Sequence, residues 1–151
     1  MLNKQDVPVL GVIAIGGGVG ALARYGVSHA YPPKPGGVPW STLFINGLGC
    51  FLIGILVVLV AEMWAAHRLW RPFLGVGILG GFTTFSTYTG EVHRLFDEGE
   101  PIVAFSYLFG TVAVALVAVL LGTLSTRAAC RLPVWRAEPK PLATPAEADA
   151  A

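Results

Sequence analysis

The chain has 151 residues, of which 54% are hydrophobic and 13% charged, with a mean hydropathy of +0.67. Soluble domains carry about 25% charged residues, so a small water-soluble bundle is set aside for want of polar surface. A net charge of +1 and a pI near 7.8 likewise argue against nucleic acid or an acidic substrate as partner.

A membrane-spanning helix needs about 20 mostly apolar residues. Four segments qualify, at about 7–29, 40–62, 72–95 and 101–126. In the first, only Lys4 precedes the apolar run and no small-residue cleavage site follows, so a cleavable signal peptide is not expected. Val9 to Ile15 followed by Gly16-Gly17-Gly18-Val19-Gly20-Ala21 imitates the strand and glycine loop of a dinucleotide fold. That fold requires an acidic residue about 20 positions later, and none lies between Asp6 and Glu62. Gly16 and Gly20, four apart, instead read as a small-residue face for a neighbouring helix. Arg24, near the far end, either snorkels to the interface or places a positive charge at a vestibule.

The connection at 31–39 holds four of the eleven prolines and reads as a stiff, extended loop. The second span contains one carboxamide, Asn46, with Thr42 and Gly49 on the same face. An amide in hydrocarbon must face protein or water, so Asn46 is either interhelical glue or a donor to a passing anion. Cys50 and Cys130 show no metal or disulfide spacing and read as packing residues.

The third span carries Gly80-Gly81-Phe82-Thr83-Thr84-Phe85-Ser86-Thr87-Tyr88 at about the bilayer midplane. Paired glycines weaken a helix, and broken backbone at that depth is tolerated only inside protein or beside a water-filled cavity, where it holds ions. The sequence therefore predicts a helix interrupted near its middle. Phe85 and Tyr88, three apart, share a face, and the positive edges of their rings can attract an anion without a full charge. Ordinary packing is the plain alternative, but Thr83, Thr84, Ser86 and Thr87 make a lipid-facing surface a poor fit. Glu91 and His93 follow at the interface, Glu91 with the further option of pairing a basic group.

An acidic turn at 96–100 leads to Pro101, placed to start the fourth span. There Tyr107 and Thr111, four apart, either form a polar track that Ala115 continues without a hydroxyl, or Thr111 bonds back to its own helix. Residues 1–131 read as one membrane domain and 132–151 as a disordered tail rich in Pro, Ala, Glu and Lys. Lys4, Arg68, Arg71, Arg127, Arg131, Arg136 and Lys140 share one face, against Arg24, Lys34 and Arg94 on the other, which favours an inward N-terminus. His29, His67 and His93 lie near span ends, and no nucleophile–base or paired-carboxylate set is visible, so no enzyme activity is expected.

These residues resemble the Fluc/CrcB family of fluoride channels. The likeness rests on Gly20 with Arg24-Tyr25, on Thr42-Leu43, Asn46, Gly49, Phe51 and Gly54, and above all on the Gly80 to Tyr88 motif with Glu91. It implies an all-α integral membrane protein of four transmembrane helices, assembled as an antiparallel, dual-topology homodimer in a bacterial-type inner membrane. It also implies a structural sodium ion on the backbone carbonyls of Gly80 and Thr83. Fluoride would pass Asn46, Phe85, Ser86, Thr87, Tyr88, Tyr107 and Thr111, with Arg24, Thr42 and Glu91 shaping the vestibule or its supports. The family usually carries phenylalanine where Tyr88 stands, and the Lys/Arg bias exceeds what dual topology favours.

The leading expectation is passive fluoride export by a channel, with fluoride, sodium, lipid and a second copy as partners. The alternative is a small four-helix multidrug or metabolite exporter, whose proton coupling needs a membrane-buried carboxylate that only Glu91 approaches. A third reading is a non-transporting assembly subunit whose polar residues serve packing.

Overall fold

The computed structural model describes residues 7–60 and 69–131. Helix α1 covers Val7–Ala30 and α2 covers Trp40–Val58. Next comes α3, which opens as a wide π-helix over Pro72–Leu79 and closes with one α-helical turn, Gly80–Phe82. Helix α4 is Ser86–Asp97 and α5 is Pro101–Ala129. The described residues contain no strand. Lys4, His67, Arg68 and the expected tail at 132–151 lie outside the described residues.

Three helices, α1, α2 and α5, are long and apolar enough to cross a membrane. Their outward faces keep large apolar side chains in the open, Leu22 at 72% and Phe109 at 68% exposure among them. Water would penalise such a surface and lipid would not. Pro101 starts α5 as expected, where its missing N–H costs nothing. The segment expected at 72–95 is the one that departs from a regular helix. Thr83 is extended (φ −74°, ψ 156°) and separates α3 from α4.

Small residues set the packing. Helix α1 lies on α3 so closely that a Cβ on Gly20 would sit 2.1 Å from the Ile78 carbonyl oxygen. The expected Gly16 and Gly20 face is therefore a backbone-to-backbone contact inside a 24-residue helix, and nothing of a dinucleotide loop remains. Helices α2 and α5 meet the same way, a Cβ on Gly54 falling 2.4 Å from the Val119 carbonyl oxygen. Helix α4 packs on α5 through Tyr88, Val92 and Leu95 against Ala104 and Tyr107. The proline-rich loop is tied over this end. Gly36, in the left-handed region (φ 65°), donates its N–H to Glu98 Oε2 at 2.7 Å, and Glu98 pairs with Arg94 at 3.5 Å.

Candidate functional site: a helix interruption beside an uncharged groove

In an unbroken helix each N–H bonds to the carbonyl four residues back. Across the α3–α4 break, side chains redirect these bonds. The Thr84 N–H goes to Asn46 Oδ1 at 2.9 Å instead of to the Gly80 carbonyl. The Thr87 N–H goes to Thr84 Oγ1 at 3.2 Å instead of to the Thr83 carbonyl. Two other carbonyls receive side-chain donors: Gly81 from Arg24 Nε at 3.2 Å, and Thr84 from Asn46 Nδ2 at 2.9 Å. Among the described residues this leaves the Gly80, Phe82 and Thr83 carbonyls with no hydrogen-bond donor. Gly80 and Thr83 are the two whose oxygens the resemblance assigns to a cation.

The break is held by recognisable local chemistry. Thr84 caps α4 by accepting from the N–H three residues on, the usual work of a threonine at a helix start. Thr83 turns inward, its hydroxyl and N–H both donating to Leu79 O. Arg24 reaches the break itself.

Behind the break lies a polar triad. Glu91 accepts from the Thr42 hydroxyl at 2.9 Å on one oxygen and from the Tyr107 hydroxyl at 2.7 Å on the other. The basic partner considered for Glu91 is replaced by these two hydroxyls, which meet the carboxylate from α2 and α5. Thr42 and Tyr107 are almost wholly buried. His93, by contrast, pairs at the surface with Asp97, 3.4 Å away.

In front of the break, α2, α4 and α5 enclose an open groove of about 400 Å³. Asn46, Thr83, Thr84, Phe85, Tyr88 and Thr111 line it, with Cys50, Ala115 and aliphatic residues completing the wall. No charged residue lines it. Phe85 stands 76% exposed, and its ring centroid lies 5.8 Å from that of buried Tyr88. Tyr88 rests edge-on against Tyr107 at 5.4 Å and donates its hydroxyl to the Leu108 carbonyl. That hydroxyl is therefore committed to α5. Asn46 has two amide hydrogens, and only one is used on Thr84. The Thr111 hydroxyl is buried with no hydrogen-bond partner among the described residues.

Asn46, Phe85, Tyr88 and Thr111 thus come together on one wall, while Tyr107 stands behind Tyr88 and Ser86 is exposed at the start of α4. Thr87 is engaged with Thr84, hydroxyl to hydroxyl at 3.0 Å. Two participants were given no site role from sequence. Thr84 is the cap, and a threonine three residues before Thr87 at the start of a helix was a legible signal. Cys50 lines the groove one turn beyond Asn46, which spacing alone would have placed on that face.

The fold and site define an all-helical, multi-pass membrane protein organised around an interrupted helix. The chain belongs to the CrcB family: residues 11–123 match the family described as "CrcB-like protein, Camphor Resistance (CrcB)". It is 54% identical over 122 residues to the fluoride-specific ion channel FluC 2 of Nocardia farcinica, covering 81% of this chain and 87% of that protein. It is 45% identical over 133 residues to FluC 1 of Streptomyces coelicolor, covering 88% and 84% respectively. With a FluC channel of Thermus thermophilus it shares 45% identity over 112 residues, covering 74% and 89%.

Proposed function

We propose that this chain forms a fluoride-selective channel that lets fluoride leave the cytoplasm by passive electrodiffusion. The relatives named as fluoride-specific channels support the ion. The groove supports the mechanism, and one observation carries it: an uncharged wall that combines two aromatic rings, a spare amide hydrogen and an unpartnered hydroxyl beside a break with free carbonyls. Weak donors replace part of the hydration shell of a small anion, and the absence of a full positive charge lets it leave again. An inside-negative voltage favours exit by about 2.3 kcal/mol per charge per 100 mV.

In this reading α3 and α4 together make a fourth crossing, and two copies associate antiparallel in the bacterial inner membrane with their breaks face to face. The Gly80 and Thr83 carbonyls fit a hard cation, which takes oxygen ligands. One copy offers two such oxygens and a second would supply two more, so sodium would sit between subunits. There it would neutralise converging carbonyl dipoles and fasten the interface. Asn46, Phe85, Tyr88 and Thr111 line the fluoride route, with Ser86 and Thr87 beside it. Arg24 holds the break, and Thr42, Glu91 and Tyr107 support the aromatic wall from behind.

The exporter reading requires a carboxylate that takes up and releases protons in transport. Glu91 is held on both oxygens by hydroxyls, which suits a fixed strut. The test is fluoride efflux from liposomes containing the Phe85→Ile variant, alongside wild type with and without an imposed proton gradient. The expected result is loss of efflux in the variant and no effect of the gradient. Undiminished efflux from Phe85→Ile, or flux that follows the gradient, would reject the route.

A further inference from the structure

A second groove, of about 340 Å³, lies between the far end of α2 and the start of α3. Leu56, Val57 and Val60 form one wall and Gly75 with Val76 the other, and Arg71 is the one charged residue lining it among the described residues. We propose that this groove binds one anionic phospholipid, with an acyl chain against the aliphatic walls and the phosphate on Arg71.

Three observations converge on that ligand. Aliphatic walls of this kind do not hold water, so the groove fits a hydrocarbon chain better than an ion path. Arg71 makes no hydrogen bond or ion pair with any described residue, and it directly precedes Pro72, where the π-helix begins. A guanidinium binds phosphate through two parallel hydrogen bonds, and basic pockets between membrane helices are established sites for anionic headgroups. Beside it Trp70, about half exposed, meets Phe73 edge-on at 6.0 Å. A tryptophan so placed marks the headgroup level, which sets the depth at which Arg71 and a phosphate would meet. Ile53 lines both this groove and the one at the break, so the bound lipid would flank the ion route without entering it.

A second protein copy over the same groove would leave the guanidinium to find a carboxylate, whereas a lipid brings the phosphate and the chain in one molecule. The test is native mass spectrometry of the full-length protein released from membranes of mixed phosphatidylglycerol and phosphatidylcholine. Wild type is expected to retain phosphatidylglycerol in preference. Arg71→Gln should lower that retention about fivefold, the contribution of one basic residue at an anionic surface, and Arg71→Lys should keep most of it. Val76→Trp, at a position 62% exposed, should block the chain and abolish retention while leaving Arg71 in place. Equal retention of both lipids, or no effect of Arg71→Gln and Val76→Trp, would overturn the proposal. So would a Val76→Trp protein that loses its dimer while keeping the lipid, because the groove would then be a subunit contact.

Discussion

Replacing Asn46 with alanine tests what keeps α3 and α4 apart. The carboxamide makes two bonds to the main chain of Thr84, each 2.9 Å, one as donor and one as acceptor. Alanine leaves both backbone groups without partners, and each orphaned group costs about 1–3 kcal/mol. Thr84 is half-buried beside an open groove, so water recovers part of this, and the lower range of about 2–4 kcal/mol applies. The break would then open more easily. Hydrogen exchange at the Thr84 amide reads this directly: at about 1.36 kcal/mol per tenfold, protection should fall roughly 30- to 900-fold. Fluoride efflux should fall with it. Exchange at Thr84 within about threefold of wild type, a change worth about 0.6 kcal/mol, would show that something other than Asn46 maintains the interruption.

Other perturbations separate packing from the ion route. Gly81→Ala would place a Cβ 2.4 Å from the Gly17 carbonyl oxygen, where only backbone can move; overpacking of about 1–3 kcal/mol should appear as a lower thermal midpoint in detergent. Tyr88→Phe removes the bond to Leu108 but keeps the ring, so stability should drop by about 1 kcal/mol while fluoride efflux persists. Abolished efflux with intact folding would instead put the hydroxyl itself in the route. Exchanging sodium for a large organic cation should weaken dimerisation, because a ligand held only by the assembled state stabilises it by mass action. A dimer equally stable without sodium would remove the ion from the interface.

Much of this was legible from residue type. The Gly80 to Tyr88 motif within an uncharged stretch announced the interruption, although Gly80 and Gly81 themselves stay helical and the chain leaves the helix at Thr83, among the hydroxyls that replace lost backbone bonds. Asn46 was marked by the cost of an amide in an apolar span, and both proposed uses of its side chain remain compatible: one hydrogen is on Thr84 and one is spare. The Gly16 and Gly20 spacing gave a close helix contact, whose partner proved to be α3. Less visible were the bonds between distant segments. That Arg24 reaches Gly81, 57 residues away, and that Glu91 collects hydroxyls from two helices depend on how helices dock. No local pattern encodes that. The π-helical start of α3, where the Gly80 N–H reaches back to the Gly75 carbonyl, was equally hidden.

The most direct measurement is fluoride release from liposomes containing this protein alone, followed with a fluoride electrode beside a parallel chloride reading. Rapid fluoride release with chloride retained is the expected result. Vesicles that hold fluoride as well as protein-free controls do, or that lose both halides alike, would contradict a selective conduit beside the interrupted helix.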